Sequence, residues 1–236
     1  GSEKINGGAG EIILDTEGEG LTLVYIDSTV GWRSIHNSTF ADVGSAYMVA
    51  TGGTETTSGN FKIHTFTGPG TFQITNAGAS PSPSANNVFD YMVVGGGGAG
   101  APAAPSNGAG GGGAGGYRES SGAASSYSAS PLGACVSGKT AVVGSYPITV
   151  GGGGAAPPSA YPNPTKVVTP GSNSVMGFSP APITSTGGGG GGLGQPDSTY
   201  AGGPGGSGGG GGGYATGGLN AGNGNTPPVA PPQGNN

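Results

Sequence analysis

The chain has 236 residues, of which 58 are glycine and 20 proline, while only 7% are charged and the formal net charge is −5. Such a composition points to disorder or to a repetitive fold, but the high net charge that marks disorder is missing. No basic patch exists for nucleic acid or an anionic membrane, a single cysteine (Cys135) excludes an intrachain disulfide, and no apolar run reaches the ~20 residues of a membrane-spanning helix.

Residues 1–90 hold nine of the eleven carboxylates, among them the cluster Glu11, Asp15, Glu17 and Glu19. The opening GSEKINGGAG has no secretory-signal character, and so abrupt a polar start is expected of the C-terminal piece of a longer chain. Residues 11–50 then read as short strands. EIIL (11–14), LTLVYI (21–26) and TVGWRSI (29–35) are β-branched and aromatic, separated by Gly18-Glu19-Gly20 and Asp27-Ser28. Hairpins this short are marginal alone, so the region is expected to need partners.

Farther along, Phe61, Ile63 and Thr65 alternate on one face, and so do Phe72 and Ile74 beyond the Gly68-Pro69-Gly70 turn. That period of two predicts a half-buried hairpin. The nearly continuous apolar VFDYMVV (88–94) predicts a strand covered on both faces, running straight into Gly95. No stretch has capped helical periodicity, so no α-helix is expected.

From 95 to 214, glycine fills 39 of 120 positions, in runs at 95–98 with Gly100, then 108–116, 151–154, 187–192 and 202–213. A flexible linker is one reading. Linkers, however, repeat a simple unit, whereas strand-like TAVVG and YPITV and several aromatics interrupt these runs. The ordered reading uses helices of the polyproline-II type, which have three residues per turn and no internal hydrogen bonds. Without side chains, such helices can pack closely and hydrogen-bond to one another.

The expected fold is therefore all-β plus a bundle of polyglycine-II helices. Residues 1–55 form a β-rich, shaft-like oligomerisation region. Residues 56–214 form a glycine-rich domain of β-hairpin plus packed helices, and 215–236 an Asn/Pro-rich tail that packs only where something docks it.

The ordered series FKIHTFTGPGTFQI, NNVFDYMVVGGGGAG, GAGGGGAGGYRE, SYPITVGGGG, GSNSVMGFSPAPITSTGGGGGG and GGPGGSGGGGGG, within residues 61–214, resembles the glycine-rich domain near the ends of phage tail-fibre proteins. Residues 11–35, ending at Gly31-Trp32-Arg33, resemble the last repeat of a β-rich fibre shaft. The glycine runs are also similar to those of T-even-like phage tail-tip adhesins, in which polyglycine-II helices form a scaffold and apical loops bind the host. The resemblance implies a virion protein of the tail fibre, extracellular, binding a host cell-surface protein or glycan. It also implies a homotrimer continuous with an upstream fibre segment. The chain departs from the tail-tip pattern in carrying its own upstream β region, and its loops match no family motif, so no binding residue is carried over.

Several motifs match chemistry that their surroundings do not support. Gly133-Ala-Cys-Val-Ser-Gly138-Lys139-Thr140 satisfies the P-loop pattern, but SSGAASSYSASPL before it makes no core strand. Gly144 and Pro147 leave no room for the helix that a phosphate site needs. Gly205-Gly-Ser207-Gly-Gly209 matches the hydrolase elbow only because glycine is everywhere. His36 and His64 lack metal-ligand neighbours, the acidic cluster lacks calcium-loop spacing, and Glu119 with Asp197 makes a poor glycosidase pair. Asn37-Ser38-Thr39 is a glycosylation sequon, which acts only in a eukaryotic secretory pathway.

What remains is aromatic. Tyr117, Tyr127, Tyr161, Tyr200 and Tyr214 lie in or beside the spacers between glycine runs. Tyrosine with Ser, Gly and Asn is the composition of adaptable binding loops, and Tyr127, Tyr161 and Tyr200 are the receptor-binding candidates. The chain thus reads as a non-covalent binder of the host surface, not an enzyme, with no catalytic, cofactor or metal residue. A purely structural fibre segment and an ice-binding or other surface protein are the alternatives.

Overall fold

The computed structural model describes residues 22–28, 31–34, 47–78, 87–102, 108–122, 128, 130, 137–156, 168–194, 201–214, 217–218 and 220–236. Among these residues the chain is all-β, without a helix. Its strands, in chain order, are β1 (Leu23–Asp27), β2 (Gly31–Ser34), β3 (Val49–Thr51), β4 (Thr54–Ser58), β5 (Phe61–Thr65), β6 (Gly70–Asn76), β7 (Val88–Phe89), β8 (Met92–Val94), β9 (Tyr117–Glu119), β10 (Lys139–Thr140), β11 (Gly144–Thr149), β12 (Ser174–Met176), β13 (Ile183–Ser185), β14 (Gly213–Tyr214) and β15 (Gly217–Gly218). The chain divides into two units. One comprises Gly1–Thr51, Ile74–Phe89 and Thr140–Gly144; the other comprises Gly52–Gln73, Asp90–Lys139 and Ser145–Asn236.

In the first unit β1 and β2 form an antiparallel pair with a bulge between Tyr25 and Asp27. Tyr25 faces Trp32 directly across the ladder, ring to ring at 5.4 Å and 65°, the kind of cross-strand aromatic pair that stabilises a sheet. Val24, Tyr25 and Ile26 are nevertheless exposed. EIIL (11–14) lies outside the described residues. The short β3 contributes buried Ala50 and neighbours β6, whose Ile74 is buried.

In the second unit the sequence-predicted hairpin about Gly68-Pro69-Gly70 is corrected. β5 pairs with β4, from Thr54↔Thr65 to Ser58↔Phe61, because the tight Gly59-Asn60 turn, with Gly59 at φ 56°, brings them together first. β6 instead joins the sheet ordered β13-β12-β11-β6. The buried face of β5 is likewise the opposite of the expected one. Phe61 and Ile63 are exposed, while His64 turns inward onto the Phe72 ring at 5.3 Å. Phe72 and Ile74 do share the buried face of β6.

VFDYMVV is not one doubly covered strand. It breaks at Asp90-Tyr91 into β7 and β8, and Met92 and Val94 are exposed. The break has a polar cause: the fully buried Ser120 donates its hydroxyl to the Asp90 carboxylate at 2.6 Å and accepts the Tyr91 N–H at 3.0 Å.

The glycine runs are packed, and their hydrogen bonds repeat every three residues. Gly95, Gly98 and Ala101 donate to Gly116, Gly113 and Gly110. Gly96 and Ala99 donate to Ser172 and Thr169. Gly110, Gly113 and Gly116 donate to Gly192, Gly189 and Thr186, and Ser207, Gly210 and Gly213 to Ala114, Gly111 and Gly108. A three-residue repeat that sends successive N–H groups to different neighbours is the signature of a threefold extended helix. Six residues of such a helix span about 19 Å at its ~3.1 Å rise. Run 187–192 is central and buried throughout, bonded to segments on several sides. Residues 202–213, expected as one run, fold at Gly205–Ser207 into two helices joined by the Gly209-to-Gly203 bond.

Positive φ among the described glycines is confined to Gly31, Gly52, Gly53, Gly59, Gly78 and Gly122, none of them in a run. Glycine is therefore required in the runs for space and not for conformational freedom. A methyl group at Gly188 would overlap the carbonyl of Gly113, whereas one at Gly111 would meet nothing within 4 Å. Gly188→Ala is expected to lower stability by about 1–3 kcal/mol, as overpacking does. Gly111→Ala is expected to leave it unchanged or raise it by up to about 1 kcal/mol through the unfolded chain. Denaturant or thermal melts of the two variants check the opposite signs.

Candidate binding surface

The direction of each glycine helix follows from its partners. Gly188 and Gly191 donate to Gly96 and Ala99, and Gly189 and Gly192 to Ser207 and Gly210. Both residue numbers rise together, so runs 95–101, 187–192 and 207–213 are parallel. Their partners 110–116, 202–206 and 220–226 run the other way, since Gly203 and Gly206 donate to Gly190 and Gly187, and Gly222 and Asn225 to Gly209 and Gly206. Run 151–154 follows β11 outward, and 168–172 returns to β12, with Ser172 donating to Gly152.

The glycine domain is thus four out-and-back hairpins of helices. Segments 102–108, 155–167, 193–201 and 214–219 connect the outgoing and returning helices, and all four join them at the end away from β8, β9, β11, β12 and β13. The last is closed by the tight β14–β15 pair, Tyr214↔Gly217. The segments are rich in Pro, Ser, Ala, Asn and Tyr, on a framework that is mostly glycine.

The receptor-binding candidates Tyr127, Tyr161 and Tyr200 all lie outside the described residues. In the sequence, Tyr161 falls between runs 151–154 and 168–172, Tyr200 between runs 187–192 and 202–206, and Tyr127 between Ser120 and Ser130.

Glu119 and His64 have structural partners. Glu119 is buried and accepts the Ser130 N–H at 2.9 Å; Asp197 and His36 lie outside the described residues. The His64 ring holds the Gly52 carbonyl at 2.8 Å through Nδ1. Among the described residues no cluster of three metal-ligating side chains occurs. Lys139-Thr140, the end of the P-loop match, is strand β10 and not the first turn of a helix. Ser207 sits in the fold between two glycine helices, its N–H bonded to Ala114, and not on a strand–turn–helix elbow.

The apolar core is small and lies at the strand end, where Tyr146 stacks on Phe178 at 4.4 Å and 14° and Met176 and Ile183 are buried. The described part of the tail, 220–236, is docked, with Gln233 buried against the domain. Nothing in the sequence singles out Gln233 from its polar neighbours.

A family model described as a glycine-rich domain matches residues 74–236. The chain belongs to that family, and the match includes the tail. Comparison with curated proteins and with solved structures returns no match. Among the described residues no helix is long and apolar enough to cross a membrane.

With Lys139-Thr140 extended as β10, these two residues do not open the helix whose dipole a phosphate site needs. Titration calorimetry with ATP and magnesium is expected to show no saturable heat; micromolar binding would contradict this reading of the motif.

Proposed function

We propose that this chain is the distal part of a phage tail fibre, in the virion and extracellular, and that it binds a host cell-surface protein or glycan non-covalently, without turnover or cofactor. The observation that carries the reading is the alternation of outgoing and returning glycine helices, whose described ends put the starts and finishes of four connecting segments at one end of a packed, glycine-rich framework. Loops set on a rigid scaffold are where recognition commonly resides. The framework fixes geometry, and the segments supply the chemistry that discriminates between partners. The resemblance of residues 61–214 to tail-fibre glycine-rich domains supports the same reading.

Tyr127, Tyr161 and Tyr200 are the proposed receptor contacts. Aromatic anchors commonly carry about 2 kcal/mol or more, roughly a thirtyfold loss on truncation. Labelled protein and its variants are applied to a panel of whole bacterial cells. At least one of Tyr127→Ala, Tyr161→Ala and Tyr200→Ala is expected to keep the parent melting temperature and lose attachment. If all three attach normally to cells that the parent binds, these tyrosines are not the contacts; if the parent binds no cell of the panel, the chain is a structural fibre segment.

Assembly through residues 1–60 completes the proposal. Val24, Tyr25 and Ile26 are exposed on a two-stranded pair, and such a pair is marginal alone. Copies of the chain would cover these side chains in a homotrimer continuous with an upstream fibre segment. Light scattering is expected to give three times the 22.1 kDa chain mass; a monomer at micromolar concentration would refute the trimer.

A further inference from the structure

We infer that residues 226–236 form a latch, held shut by the buried Gln233 side chain, that opens and closes independently of the glycine bundle. The inference does not rest on the proposed function, because the latch sits at the strand end and not at the connecting segments.

Gln233 is 3% exposed, and every other residue of 226–236 is half-buried or exposed. Its carboxamide is fully engaged. Oε1 accepts the Thr186 N–H at 2.9 Å, and Nε2 donates to Thr186 Oγ1 at 3.0 Å and to the Pro227 carbonyl at 3.2 Å. Its backbone carbonyl accepts the Tyr117 N–H at 2.8 Å. Asn225, at φ 48°, folds the latch back: its Oδ1 accepts the Val229 and Gln233 N–H groups at 3.1 and 3.2 Å. Beyond Gln233, the Asn235 carbonyl accepts the Gly208 N–H at 2.9 Å.

The docking point is specific. Tyr117 and Thr186 stand where β9 and β13 adjoin glycine helices. At these junctions the hydrogen-bond repeat changes between two and three residues, and the N–H groups of Tyr117 and Thr186 find their acceptors in Gln233. A buried N–H without an acceptor costs about 1–3 kcal/mol, so the latch supplies what the junctions require. Little apolar surface accompanies it, and a segment held by few hydrogen bonds opens at lower free energy than a packed core. The central helix is bonded separately, with Gly188 and Gly191 donating to Gly96 and Ala99.

Residue-resolved hydrogen exchange on the full chain tests this. In the parent, Tyr117, Thr186 and Gly208 amides are expected to exchange through one shared opening, at least about tenfold faster than Gly188 and Gly191. Gln233→Ala is expected to accelerate those three by a common factor and leave Gly188 and Gly191 unchanged. Equal protection of both groups in the parent overturns the latch, as does uniform acceleration, no acceleration, or loss of folding in the variant. Gln233→Ala is also expected to bind cells as the parent does, which separates this test from that of the connecting segments.

Discussion

The structure depends on the contact of backbone with backbone around run 187–192. A side chain at Gly187, Gly188, Gly189 or Gly191 would overlap a carbonyl of Gly171, Gly113, Gly203 or Gly110. Those four neighbours lie on three segments, 110–116, 168–172 and 202–206, so one helix fixes the spacing of several others. Backbone N–H and C=O groups must be paired when buried, and a threefold helix points successive groups about 120° apart. A helix buried on every side, as 187–192 is, therefore needs partners all around it. The entropy lost in ordering glycine is the largest of any residue, and it is offset here by close packing and pairing on several sides at once.

The strands set the register of that packing. Met92↔Glu119, Val93↔Arg118 and Val94↔Tyr117 pair in β8–β9, and the same alignment continues through Gly95–Gly116, Gly98–Gly113 and Ala101–Gly110. β11–β12 does the same, from Ile148↔Met176 into the Ser172–Gly152 bond, and β12–β13 from Ser174↔Ser185 into Gly171–Gly188. A glycine run has no side chains to specify alignment and could slide by a turn. Side chains such as Tyr146, Met176, Phe178 and Ile183, buried at the strand end, supply the specificity that the runs lack.

Much of this was legible in the residues. The strands around LTLVYI and GWRS, the shared face of Phe72 and Ile74, the lack of helix and the packing of the runs all follow from pattern and glycine placement. What was illegible depended on distant partners. Asp90 interrupts its strand because of Ser120, thirty residues on. β5 turned its apolar face outward because the Gly59 turn gave it to β4. The fold in 202–213 is marked only by Pro204 and Ser207 in otherwise uniform glycine, and Gln233 is a single amide in a polar tail. For the candidate surface, composition named the spacers, while the direction of the runs that bound them came from the hydrogen-bond pattern.

A core built of peptide groups also has a thermal consequence. The heat-capacity change of unfolding rises with newly exposed apolar surface and falls with newly exposed polar surface. Unfolding this bundle uncovers mainly amides around Gly187–Gly192, all buried in the native state, and comparatively little hydrocarbon. Its stability curve is therefore flatter than that of an oil-filled domain of equal size. The fading of hydrophobic attraction in the cold has correspondingly less to act on, so the bundle holds its shape over a broad span of temperature.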